Sequence, residues 1–174
     1  VHFQSVPIAE ENLIGPSGWY LSRPGFWNGA CGPAACWAGG AAGLLNYARS
    51  HARENPHDIA HLGRMHANMW AAYASLEQAG REIDADPQDA KQAQIRALAL
   101  RHTIEQLCTN LLQHFGRAYG PRPLAFEEEI SRRYREVELY VRQSHAERDL
   151  ESLGRGVSRK RERQVGTASD SKEK

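Results

Sequence analysis

The sequence predicts an all-α chain: an up-down four-helix bundle, preceded by a short strand and connector and followed by a disordered tail. Three observations lead there. Apolar residues recur at alternating spacings of three and four over long stretches, and short proline-containing breaks separate those stretches. Breaks that short make successive helices antiparallel neighbours. At 174 residues and 25% charge, the chain has the size of one domain with a usable core.

Val1-His2-Phe3-Gln4-Ser5-Val6-Pro7-Ile8 alternates apolar and polar positions around a proline, the pattern of a short strand. One strand is not stable by itself. Residues 1–25, punctuated by Gly15-Pro16-Ser17-Gly18 and Arg23-Pro24-Gly25, therefore read as the end of a β domain with its connector, and the chain as a fragment of a longer protein. Residues 26–153 are the expected bundle. Its first helix, from Phe26 to about Glu54, is rich in Ala, Gly, Leu and Trp and carries Gly29, Gly32, Gly39, Gly40 and Gly43. Each glycine costs a helix about 0.8–1.0 kcal/mol relative to alanine, so five of them need a tertiary reason. Close helix packing supplies one, and a flat ligand or another backbone lying against the helix supplies another. Pro33 is expected to kink or shorten this helix near its start.

Asn55-Pro56 breaks the pattern. A second helix follows, with Ile59, Leu62, His66, Met69, Tyr73, Leu76, Gly80 and Ile83 as its seam. Asp86-Pro87 has the form of a cap followed by a first-turn proline and is expected to open the third helix. The stripe of that helix runs through Ala90, Ala97, Ile104, Leu107, Leu111 and Phe115, and Tyr119-Gly120-Pro121-Arg122-Pro123 stops it. The fourth is expected from Leu124 to Leu153, with Gly154 ending it. Residues 154–174, charged, serine-rich and nearly without apolar side chains, read as a disordered basic tail.

The formal net charge of +1 is unevenly placed: from Gly154 onward seven Lys/Arg oppose three Asp/Glu, which leaves residues 1–153 mildly acidic at −3. The basic tail has no aromatic residues to stack on bases, so nucleic acid is not an expected partner. No apolar run approaches the roughly 20 residues a membrane span needs, and no signal pattern opens the chain. A cytoplasmic protein is expected. Cys31, Cys36 and Cys108 form no Cys-x-x-Cys and read as small hydrophobes in a reducing compartment.

On a helical period Ile130, Tyr134, Val137, Val141 and His145 share one stripe, which ends an apolar seam in a titratable ring. A histidine so placed finds a partner or does chemistry. Metal sites are less well supported. The one Glu-x-x-His, Glu54 to His57, has Pro56 inside it, which removes the di-iron reading, and His57 with His61 lacks a third ligand. Arg101 pairs with Glu105 along one turn or points inward, and the sequence does not choose between the two. Phe115-Gly116-Arg117-Ala118-Tyr119-Gly120-Pro121 reads either as a plain interhelical turn or as one that meets a cofactor through amides and a guanidinium.

With these residues in view, the chain resembles the carboxy-terminal part of an acyl-CoA dehydrogenase-type flavoprotein over nearly everything before the tail. Val6-Pro7-Ile8-Ala9-Glu10-Glu11-Asn12-Leu13-Ile14-Gly15 resembles the exit from that family's middle β domain. Gly25-Phe26 resembles the opening of its first bundle helix, and Ala34-Ala35 through Asn46-Tyr47-Ala48 the small-residue continuation. Phe115 to Gly120 falls where the family carries a glycine-rich turn that meets the flavin of a neighbouring subunit.

The resemblance implies a flavin, FAD or alternatively FMN, held between the β domain, the bundle and another subunit of a homo-oligomer, a dimer or a homotetramer. It implies oxidoreduction of an acyl-CoA or another small molecule, with an electron acceptor or a flavin reductase as partner. The fragment by itself is expected to bind flavin poorly and to be inactive. Family dehydrogenases use a glutamate late in the bundle or near its start; here those places hold Ser144-His145 and Asn28-Gly29, with Glu147 close to the first. A histidine at the late position is similar to the flavin-dependent monooxygenase branch, so dehydrogenation and monooxygenation both stay open. His145 is the expected acid/base, and Arg53, Gln113, Arg117 and Tyr119 are the expected cofactor contacts, with no metal. The contrasting reading is a non-catalytic helical oligomerisation module.

Overall fold

The computed structural model describes residues 1–169, those from 159 onward as backbone only. Among them the chain is all-helical: α1 (Trp19–Ser22), α2 (Pro24–Gly29), α3 (Cys31–Ser50), α4 (Pro56–Ala85), α5 (Ala90–Tyr119), α6 (Arg122–Phe126), α7 (Glu128–Tyr140) and α8 (Glu147–Ser169). Two 3₁₀ turns, Glu10–Asn12 and Val141–Gln143, complete it. The long helices alternate in direction. His61 of α4 meets His114 near the end of α5, while Glu82 near the end of α4 pairs with Arg96 near the start of α5. Arg101 reaches Ala30 and Tyr119 reaches Ala48, so α3 and α5 run parallel, and Trp37 against Tyr140 with Tyr47 bonded to Glu127 sets α7 antiparallel to α3. Trp37, Phe115, Leu44, Met65, Ile104, Leu111 and Val141 fill the interior.

Several expectations are corrected. No strand occurs among the described residues, and Val1 to Ile8 are exposed throughout. Pro7 donates no backbone hydrogen bond and no second strand is present to pair with, so alternation by itself makes no sheet. The remnant of a β domain is thus absent. The family assignment began from that remnant, and an all-helical domain overturns it.

Nor is the architecture a simple four-helix bundle. The first expected helix breaks at Ala30 into α2 and α3, which puts Pro33 in the first turn of α3, where a missing N–H has no partner to lose. The fourth breaks twice. Glu127 is extended between α6 and α7, and Ser144 is extended with Ala146 at φ 47° before α8. Helix α8 then runs through Gly154, where a stop was expected, and Gly156 packs against Ile95 of α5. The tail expected to be disordered is therefore helical to Ser169, and its last five residues, 170–174, lie outside the described ones.

Caps explain the remaining boundaries. The Asn55 side chain accepts from the His57 amide, as a cap ahead of Pro56 should. Asp86 ends α4, and it is Asp89 that caps α5, by accepting from the Lys91 and Gln92 amides. Helix α5 continues through Arg117 and Tyr119, so the expected turn shrinks to Gly120-Pro121, with Gly120 at φ 64° and ψ −158°, a conformation open only to glycine.

On α3, a methyl added at Gly40 would lie 2.6 Å from Val137 Cγ2, so glycine there lets α7 approach; at Gly39 it would meet open space. Gly40→Ala is expected to cost about 1–3 kcal/mol in urea unfolding, by overpacking. Gly39→Ala should gain about 0.5–1 kcal/mol from helix propensity. Equal shifts for the two would contradict this account of α3 and α7.

Candidate functional site

Helices α3 and α7 leave a groove between them. Trp37, Cys36 and Gly40 line one wall, and Arg132, Arg133 and Tyr140 line the other, around a cleft of about 280 Å³. An adjoining depression of about 650 Å³ carries it past Leu139 to Arg142 and Gln143. Along α3, Gly32 and Gly39 are exposed with open space above them, as is Gly29 at the end of α2. Trp37 is wholly buried, and its indole N–H has no partner. Tyr140 meets the Trp37 ring edge-on at 6.1 Å. Next to the groove, Arg101 crosses the gap between elements. Its guanidinium donates to the Ala30 carbonyl at 3.3 Å and to the Gln143 carbonyl at 2.9 Å, and lies 4.9 Å from the centre of the Trp37 ring. Arg101 therefore points inward rather than pairing with Glu105, which instead faces Arg142 at 3.5 Å.

His145 follows directly on the turn that Arg101 holds. The apolar stripe of α7 ends at Val141, because Ser144 leaves the helix and carries His145 off its face; the imidazole is 56% exposed. Asp149 organises it, accepting from the His145 backbone N–H at 3.3 Å while its other oxygen lies 3.3 Å from Nδ1. The carboxylate and the half-exposed ring thus stand side by side at the start of α8. Asp149 is missing from the sequence-level site, although its four-residue spacing from His145 at a helix start was a usable clue.

The other expected residues lie at the opposite end of the bundle. Arg53 pairs with Asp58 at 2.8 Å, donates to the Ala118 carbonyl and sits 5.5 Å over the Tyr119 ring, while Tyr119 donates to the Ala48 carbonyl at 2.7 Å. Both side chains are thus engaged in holding the helix ends. Burial raises the Tyr119 phenol, and burial together with the hydrogen bond to Glu127 pushes Tyr47 up to about 12. Gln113 and Arg117 are exposed one turn apart on α5, free to meet something outside the chain. Between them His114 stands 2.9 Å from His61, Nδ1 to Nδ1. Burial, then the neighbouring His61, Arg64 and Arg117, hold His114 below the ordinary histidine value. His57 and His61 gain no third ligand: among the described residues no group of three His, Cys, Asp or Glu is placed to hold a metal.

Ala30 marks the His145 end and Ala48 the Tyr119 end of α3, so the helical rise separates the two groups of expected residues by about 27 Å. No described helix is long and apolar enough to cross a membrane. Comparison with protein-family models, with curated proteins and with solved structures finds no match.

Proposed function

We propose that the chain is the helical domain of a flavin-dependent oxidoreductase acting on an acyl thioester or another small molecule, with the α3–α7 groove turned toward the cofactor. One observation carries the reading: the α3–α7 groove sets Cys36 and Gly40 opposite the side chains of Arg132 and Arg133, and Gly39, next to Gly40 in the chain, stands exposed with open space above its backbone. An exposed glycine in a helix interior, as at Gly39, is a standing cost, and close approach of a flat ligand is a reason to keep it. A planar, partly anionic group would be held there against exposed α3 backbone, with Arg132 and Arg133, now paired with Glu136 and Glu129, supplying positive charge. When bound, FAD or FMN supplies the two-electron chemistry. His145, beside Asp149, takes or returns a proton. In a dehydrogenase that proton comes from the carbon beside a thioester carbonyl. In a monooxygenase the same ring would hold or move a proton beside the bound substrate.

Gln113 and Arg117 are too far from His145 to touch the same ligand within one chain. The reading assigns them to the cofactor of a second subunit in a homodimer or homotetramer, which favours the longer FAD. An electron acceptor or a flavin reductase completes the cycle, and the free thiols of Cys31, Cys36 and Cys108 suit a cytoplasmic setting. Titration of the chain with FAD and with FMN, followed by flavin fluorescence, should give weak saturable binding, at least tenfold weaker for Gly39→Leu. His145→Ala should leave that binding unchanged and abolish turnover of the intact enzyme. Absence of saturable binding by the unaltered chain sinks the flavin reading. One feature favours the rival reading as a helical assembly module, the exposure of Ile59, Trp70 and Tyr73 on α4.

A further inference from the structure

Two imidazoles meet across the α4–α5 contact, in a pairing the flavin reading does not use. His61 and His114, both half-buried, stand 2.9 Å apart, Nδ1 to Nδ1, with their ring centres at 5.1 Å. Those two distances set the rings nearly end to end, so one proton lies between the facing nitrogens, donated by one ring and accepted by the other.

The charges around the pair are of one sign. Arg64 stands one turn after His61 and Arg117 one turn after His114, both exposed. Because α4 and α5 run in opposite directions, the two arginines lie on either side of the pair, their backbones about 9 Å apart along the seam. After burial and His61, they are what hold the His114 ring below the ordinary histidine value. Neither joins an ion pair among the described residues. Asp58, the carboxylate one turn before His61, is taken by Arg53 at 2.8 Å, and Arg49 of α3 is turned to His66 at 2.8 Å. His57, exposed on the same turn of α4 as Asp58, adds a further imidazole. In a body whose first 153 residues carry −3, cations gathered in this way repel one another until an anion joins them.

We infer that this stretch of the α4–α5 seam binds a phosphate group, free or carried by a nucleotide, between the Arg64 and Arg117 guanidiniums and beside the two imidazoles. Guanidiniums supply the charge-assisted donors that clasp such oxyanions. The histidines make the grip depend on pH. A neutral pair holds two ring protons, one between the Nδ1 atoms and one on an Nε2. A third proton goes to the remaining Nε2, which adds a charge and a donor and keeps the shared bond. A bound dianion favours that third proton, so binding takes up a proton and tightens as pH falls through the histidine range. The inference does not rest on the flavin reading, although Arg117 enters both: phosphate bound by a chain that never retains flavin leaves it standing.

Titration of the full chain with sulfate, whose charge is constant over this range, tests the site by NMR of the histidine rings, at an ionic strength held with chloride. The His61 and His114 signals should move saturably, with a dissociation constant at least fivefold lower at about pH 5.5 than at about pH 7.5. Arg64→Gln and Arg117→Gln should each weaken binding at least fivefold. His114→Gln should remove most of the pH dependence with the helical signal unchanged, and Gly39→Leu on α3 should change nothing. Inorganic phosphate and AMP then separate the two sources: equal affinities mean free phosphate, and a tenfold advantage for AMP means a nucleotide. Ring signals that chloride moves as far as sulfate does overturn the inference. Sulfate binding that is indifferent to both arginine substitutions overturns it equally.

Discussion

Replacing Trp37 by alanine is expected to destabilise the domain by about 3–5 kcal/mol, a large part of the 5–15 kcal/mol that an ordinary domain has. Trp37 is wholly buried where α3 faces α7, with Tyr140 against its edge and Arg101 over its ring. Its removal leaves a cavity that those neighbours fill only in part, and it takes away the aromatic face under a guanidinium. Trp37→Phe should cost less, because the deleted N–H has no protein partner to lose. Urea unfolding of both variants checks the ordering. A Trp37→Ala loss below about 1 kcal/mol would mean that the groove wall collapses freely and is not a built surface.

Arg101→Met is expected to cost about 3 kcal/mol and to loosen the turn that carries His145. Hydrogen bonds to a charged donor contribute about 1.5–3 kcal/mol each, and Arg101 makes two, to carbonyls on separate elements. Methionine keeps part of the packing, so the loss reports chiefly on those bonds. The local consequence separates this role from general stabilisation: amide hydrogen exchange should quicken from Gln143 to Arg148 before it quickens in α4. Arg101→Lys should not rescue, because a single ammonium does not present the forked donors that reach both carbonyls. Exchange that rises evenly across the domain would remove Arg101 as the brace of the turn.

How much of this was legible depended on the range of the interaction. Asn55 caps α4 through a bond to an amide two residues away, so Asn55-Pro56 is readable from residue types. Asp86-Pro87 looked equally good, yet Asp89 holds the amides of α5. Two candidate caps three residues apart differ only in which backbone turns first. The split of the last helix was hidden for another reason. Tyr134, Val137, Val141 and His145 keep helical spacing across a chain that leaves the helix at Ser144, and periodicity is blind to one extended residue. His145 therefore left the core for solvent, and its partner became Asp149.

The expected α4 seam holds in part: Met69 is buried and Leu62 and Leu76 pack against the core, but Ile59, His66 and Tyr73 face out. Tyr73 is expected inside, but the buried face of α4 is made by Met65, Met69, Ala72 and Ala79, which leaves Tyr73 and its neighbour Trp70 outside. Gly40 has the same logic on α3, since Val137 takes its space. Side-chain size says what a residue gains by burial. Which face is buried depends on how near the neighbouring helix stands.

By itself the sequence determined that the chain is mostly helical, roughly where its long helices lie, and that Tyr119-Gly120-Pro121-Arg122-Pro123 stops α5. Those properties rest on hydrogen bonds and spacings within a turn or two. Only the tertiary structure decided that Arg101 points inward, that the outward face of α4 is aromatic, and that His145 and Arg117 stand at opposite ends of α3. Each of those depends on contacts between residues far apart in the chain, whose free energy exists only once the helices have met.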